Sequence, residues 1–177
     1  MPATVFIAAS LDGFIARANG AIDWLPPPAG DEDYGFGPFM AGVEALVMGR
    51  HTFETALSFG GWQYGKRLVI VLSSRPMDFT ALQGANVEQM SGEPAEIIAT
   101  LAARGIHELY VDGGITIQRF LRAACIDRII ITRIPILLGA GVPLFGTLPR
   151  DLPLRHITTK SFPSGLVQSE YVPALPK

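Results

Sequence analysis

The feature that most constrains this chain is a set of short, uninterrupted apolar runs. They are Val5-Phe6-Ile7-Ala8-Ala9, Ala45-Leu46-Val47-Met48, Leu68-Val69-Ile70-Val71-Leu72, Leu109-Tyr110-Val111 and Ile129-Ile130-Ile131. None alternates apolar with polar, so each reads as a strand covered on both faces rather than one with a wet side. Segments with helical spacing lie between them. Residues 93–104 are the clearest, with Pro94 near the start, Ile97, Ile98, Leu101 and Ala102 on one face, and Arg104-Gly105 as a stop. Ile115, Ile117, Phe120 and Leu121 form a second after Gly113-Gly114, and Thr52 is placed to cap a shorter one through Leu57. Asp31-Glu32-Asp33 offers acidic first-turn chemistry for a short helix toward Met40, which Gly35, Gly37 and Pro38 weaken. Residues 17–31, with Gly20 and Pro26-Pro27-Pro28, read as an irregular loop. Leu154–Phe162 and Val167–Val172 flank Pro163-Ser164-Gly165 as a hairpin. The expected fold is α/β: a mixed, mostly parallel central sheet flanked by helices, with a C-terminal antiparallel hairpin. No linker in the 177 residues is long enough to divide them, so residues 1–177 read as a single domain.

Charge and composition close off several functions. Fourteen basic against sixteen acidic side chains leave a net −2, which argues against nucleic acid and an anionic membrane surface as partners. The greasiest stretch, Ile129 to Phe145, is broken by Arg133, Pro135, Gly139, Gly141 and Pro143 and is no membrane span. The first ten residues lack a basic leader region, so the expected location is cytoplasmic. A lone cysteine, Cys125, excludes an internal disulfide framework and reads as a small buried hydrophobe at a helix end. His51, His107 and His156 share no metal-ligand spacing, and no metal is expected. Gly60 with Gly65-Lys66 carries most of a phosphate-loop pattern, but Arg67 stands where Ser or Thr is needed and a strand follows.

What remains is three strand ends suited to anionic phosphates. Met48-Gly49-Arg50-His51-Thr52 joins a strand end to a glycine, a cation and a helix start, where free N–H groups and a guanidinium can hold a phosphate. Ser73-Ser74-Arg75 follows a strand with two hydroxyls and a guanidinium. Asp112-Gly113-Gly114-Ile115-Thr116 lets backbone amides approach a pyrophosphate ahead of a helix. Taken singly, each has a plain alternative: a surface arginine, an ordinary turn, tight strand-to-helix packing. Together, after buried strands, they point to a nucleotide with separated phosphates. The Arg and Ser groups fit the 2′-phosphate of NADP better than NAD, whose ribose usually meets a carboxylate.

Gly49-Arg50-His51-Thr52-Phe53-Glu54, Leu72-Ser73-Ser74 and Gly113-Gly114 through Leu121 resemble, in order, segments of the dihydrofolate reductases. The opening Ala9-Ser10-Leu11-Asp12-Gly13-Phe14-Ile15-Ala16 and the late Pro135 to Phe145 run resemble a second branch still more closely. That branch is the reductase domain of the bifunctional riboflavin-biosynthesis deaminase/reductase, with small stand-alone proteins built from it. The resemblance covers residues 4 to 172. It implies a dihydrofolate-reductase-like fold, NADPH as hydride donor, a small pterin-like or pyrimidine-like substrate of the 5-amino-6-(5-phosphoribosylamino)uracil reductase type, and a homodimer. By position, Arg50, Ser73, Ser74 and Arg75 would hold the 2′-phosphate, Thr52 and Gly113, Gly114, Ile115 and Thr116 the pyrophosphate, and Ala8, Ile15 and Trp24 the nicotinamide. Trp24 reads equally as a core or lid aromatic.

The proton side is less defined. Asp112 matches a substrate-facing acid of the riboflavin branch, or is a structural strand-end Asp. Asp23 neighbours Trp24. Asp31 or Asp33 would stand where dihydrofolate reductases carry their pterin-pairing carboxylate, or are solvated helix-start acids. Asp12, in an Asp-Gly pair, reads as a hairpin turn residue. No His-x-Glu with Pro-Cys-x-x-Cys is present, which excludes zinc deamination, and no basic cluster for a ribityl phosphate stands in residues 20–40. True dihydrofolate reduction and a non-catalytic NADPH-binding protein are the alternatives.

Overall fold

The computed structural model describes residues 1–27 and 32–174. In chain order the elements are β1 (Ala3–Ser10), β2 (Phe14–Ala16), α1 (Phe36–Gly42), β3 (Ala45–Gly49), α2 (Arg50–Ser58), β4 (Leu68–Leu72), β5 (Val87–Met90), α3 (Pro94–Ala103), β6 (Leu109–Asp112), α4 (Gly114–Arg122), β7 (Arg128–Ile134), β8 (Val142–Pro143), β9 (Leu154–Ser161) and β10 (Val167–Pro173). Eight strands form one sheet in the order β5-β4-β3-β6-β1-β7-β10-β9. Neighbours from β5 to β7 are parallel, and β10 runs antiparallel to both β7 and β9. The mixed sheet and terminal hairpin expected from the sequence are present.

The unbroken apolar runs follow from two covered faces. In β3, Ala45 and Val47 pack into one core with Ile70, Val111, and Ile97 and Leu101 of α3 and Ile117 and Phe120 of α4. Leu46 and Met48, between them, pack into a second core with Val69, Val71, Tyr110, Phe39 and Met40 of α1 and Phe53 of α2. Alternate residues of one strand thus serve opposite layers, and both faces of β3 are apolar. The helix at 93–104 is present as α3, with Glu93 and Glu96 closing a capping box around its start. Cys125 lies just past α4, half-buried against the first core, where burial pushes its thiol pKa up. Among the described residues no helix is long and apolar enough to cross a membrane.

Three local expectations are corrected. Thr52 does not cap α2; the helix begins at Arg50 with Gly49 as its cap, which leaves Thr52 in the first turn. The Asp12-Gly13 turn does not make a hairpin. β2 pairs instead with β8, because Asp12 accepts hydrogen bonds from Ser10 Oγ (2.6 Å) and from the backbone N–H groups of Leu138 (3.2 Å) and Gly139 (2.7 Å), tying the turn to the distant loop. The helix toward Met40 begins at Phe36, after a left-handed Gly35.

Candidate functional site

β3 and β6 are adjacent and parallel, yet the helices that follow them cover opposite faces: α2 the second core, α4 the first. Their backbones diverge beyond Gly49 and Asp112, and a crevice opens at the carboxyl ends of the strands, where open α/β sheets bind ligands. Two glycines keep it narrow. A Cβ on Gly113, whose φ is +88°, would run into Thr52 Oγ1, and one on Gly49 would lie 3.2 Å from Thr116 Oγ1. Neither α2 nor α4 has a side chain bonded to its first-turn N–H groups. Two uncapped helix N-termini therefore face one crevice, a ready anion site.

The crevice is a cavity of about 570 Å³. Arg50, His51 and Thr52 form one wall, and Gly113, Gly114, Ile115 and Thr116 the other. Ile7, Ile15 and Val142 add an apolar end, and Asp112 and Tyr64 also line it. At the rim it meets a second hollow of about 500 Å³ lined by Arg50, Leu72, Ser73, Ser74, Arg75, Ser91, Gly92, Glu93 and Arg119. All three phosphate-type strand ends of the sequence thus converge on one connected space. Ser73 Oγ donates to the Arg75 carbonyl at 2.7 Å and accepts the Arg75 N–H at 3.1 Å, which fixes the turn. Arg50 Nε lies 2.7 Å from Glu54 Oε1 in an exposed pair. Ser91, Gly92 and Arg119 were not singled out in the sequence.

The candidate acids scatter. Asp112 accepts the Gly113 N–H at 2.8 Å, but burial outweighs that bond and pushes its carboxyl up to about 6. Burial, reinforced by the Asp112 charge, pushes the Tyr64 hydroxyl up to about 12, so it stays a proton-bearing donor. Asp23 is exposed and lies 2.6 Å from Arg17, whose hydrogen bond draws its carboxyl below the usual range; it is not part of the crevice lining. Asp31 lies outside the described residues. Asp33 spends both carboxylate oxygens on the N–H groups of Gly35 and Gly37, each at 2.8 Å, as a helix-start acid.

The apolar candidates divide between two places. Ile15 lines the crevice. Ala8 lines a smaller pocket of about 240 Å³, with Tyr34, Thr132, Asp33 and Phe36, and Ile7 is common to that pocket and the crevice. Trp24 is 7% exposed in a cluster with Ile134 and Leu166, and its indole N–H has no hydrogen-bond acceptor among the described residues.

Comparison with known proteins identifies the family and the fold. Residues 3–168 match the family model of the RibD C-terminal domain. The chain is 44% identical to a protein of Shewanella sp. PV-4 named provisionally as a riboflavin biosynthesis protein; that crystal structure superposes with a TM-score of 0.91 over 98% of this chain and 99% of the other. It is 33% identical to YwjB of Bacillus subtilis (strain 168), itself an uncharacterized protein, over 96% of this chain and 97% of that one. The diaminohydroxyphosphoribosylaminopyrimidine deaminase/5-amino-6-(5-phosphoribosylamino)uracil reductase of Thermotoga maritima matches with a TM-score of 0.78 at 16% identity. That match spans 98% of this chain and 56% of the larger protein, and at such identity it shows the fold alone, which is dihydrofolate-reductase-like.

Proposed function

The chain belongs to the RibD C-terminal domain family, and from that premise we propose that it is an NADPH-dependent reductase of a small pyrimidine-like heterocycle. The observation that carries the reading is the convergence of two uncapped helix starts, a glycine pair and three arginines on one connected crevice. These residues fit the cofactor. Arg50, Ser73, Ser74 and Arg75 take the 2′-phosphate. Thr52 and the backbone N–H groups of residues 114–116 take the pyrophosphate beside Gly113, where a side chain would leave no room. Bound there, the nicotinamide supplies a hydride to an electrophilic carbon of a C=N or C=O group.

The chain's own residues do the rest. Ile7, Ile15 and Val142 exclude water from the apolar end of the crevice. The heterocycle lies against Ile7, the residue common to the crevice that Asp112 lines and the pocket lined by Ala8 and Thr132. Asp112 holds a proton at a pH near 6 and passes it to the heteroatom of the reduced bond, so that hydride and proton together complete the two-electron reduction. Asp33, with both oxygens already accepting backbone N–H groups, is poorly free to pair with a pterin, which favours this substrate class over dihydrofolate.

Fluorescence titration with NADPH and NADH, following Trp24 and Trp62, tests the cofactor. NADPH binding tightly and NADH far more weakly is the expected result; binding of neither overturns the reading. Arg50→Ala is expected to raise the NADPH dissociation constant at least about tenfold, because a lost charge-assisted hydrogen bond costs about 1.5–3 kcal/mol. An unchanged constant removes Arg50 from the site.

A further inference from the structure

We infer that Arg119 is the residue through which this protein selects the phosphorylated nucleotide over its unphosphorylated counterpart, an inference that rests on the nucleotide reading of the crevice. Arg50, Leu72 and Arg119 are the residues common to the crevice and the polar hollow beside it. They form the passage through which an adenosine must lie if its pyrophosphate sits on the helix starts and its ribose phosphate in the hollow. Leu72 gives that passage an apolar contact for a base, and two guanidiniums line it.

The guanidiniums are not equivalent. Arg50 commits its Nε to Glu54 on its own helix at 2.7 Å. Arg119 is held across the hollow: its Nη2 donates to the Gly92 carbonyl at 2.9 Å, and Glu93 Oε1 stands 3.8 Å away. One of its five N–H groups is used by that carbonyl, and the fork that remains is fixed in place beforehand. Ile115 and Arg119, one helical turn apart on α4, both line the crevice. The backbone that meets the pyrophosphate and the cation that meets the ribose phosphate therefore belong to one rigid element.

Charge in the hollow points the same way. Its lining holds three guanidiniums, Arg50, Arg75 and Arg119, against one carboxylate, Glu93. That carboxylate already accepts a backbone N–H inside the capping box of α3. Among the described residues that line the hollow, no acid besides Glu93 stands ready for the ribose hydroxyl of an unphosphorylated nucleotide, while a phosphate dianion would balance the cationic excess.

The test is a titration of wild-type protein, Arg119→Ala and Arg119→Gln with NADPH and with NADH, alongside thermal melting. Both variants are expected to lose at least about tenfold in NADPH affinity, with NADH affinity held within about twofold. Glutamine keeps an N–H for the Gly92 carbonyl while losing the charge, so its agreement with alanine assigns the effect to charge rather than to the anchor. An equal loss for both nucleotides, or unchanged NADPH binding, overturns the inference while leaving the cofactor reading intact. Wild-type protein that binds neither nucleotide overturns the cofactor reading itself.

Discussion

Replacing Asp112 by asparagine is expected to lower turnover by at least about a hundredfold, the usual range for a lost general acid, while NADPH affinity stays within about twofold. The same substitution is expected to make the fold more stable. Asp112 has its carboxyl at about 6 in the folded protein against an ordinary value of 3.8, because burial disfavours its charge. Below pH 3.8 both folded and unfolded chains carry the proton, and the carboxyl costs nothing. Between 3.8 and about 6 the unfolded chain ionises first, so stability falls as pH rises, and above about 6 the full penalty persists. At about 1.4 kcal/mol per pH unit this amounts to at most about 3 kcal/mol. Urea denaturation at pH 4 and pH 8 checks the sign: Asp112→Asn should gain stability over wild type at pH 8 and lose most of that gain at pH 4. Wild-type turnover should fall as pH rises through about 6. A variant that keeps full turnover would make Asp112 a strand-end residue and no more.

Gly113→Ala is expected to abolish nucleotide binding at any accessible concentration and to destabilise the protein by at least about 1–3 kcal/mol from backbone strain alone. At φ +88° a side chain is strained whatever space surrounds it, and here its first carbon would also enter Thr52. Relief by local shift would move the start of α4 away from α2, which is the geometry the pyrophosphate needs. Gly114→Ala is milder: its Cβ would meet Ile15 Cδ1 at 3.1 Å and Val142 Cγ1 at 3.2 Å, both ends of side chains, although the Pro143 carbonyl at 3.2 Å is less forgiving. Adding Thr52→Ala to Gly113→Ala removes most of the collision but not the strained φ, so the pair should recover part of the stability. Denaturation midpoints and NADPH titration of the four proteins give the order. Undiminished binding by Gly113→Ala would mean that the crevice is not where the nucleotide lies.

The parts of this molecule legible in the sequence are those fixed by burial or by backbone geometry. Leu68–Leu72 could be read as a central strand because every one of its residues is buried, and a run of five branched or long aliphatic residues has little other use. Asp112-Gly113-Gly114 could be read as a close approach because only glycine serves there. β5 is illegible for the opposite reason: Val87-Glu88-Gln89-Met90 is an edge strand, half-buried throughout, and its two central polar residues break any apolar run. Without β5, Ser91–Glu93 had no place in the fold, and Arg119 had no visible relation to Gly92, 27 residues away. Single-residue acids were the least legible. Asp33 at a helix start, Asp23 in a surface pair and Asp112 beneath the crevice look alike in sequence, and only burial and partners tell them apart.

The crevice between Thr52 and Thr116 is also a seam. One wall stands on the helix layer over one face of the sheet and the other on the layer over the opposite face, so anything that grips both fastens the two halves of the core to each other. Saturating such a seam couples folding to nucleotide supply: a ligand at a hundred times its dissociation constant adds about 2.7 kcal/mol to the folded state. The durability of this protein in a cell is then set partly by how much of its nucleotide the cell keeps free.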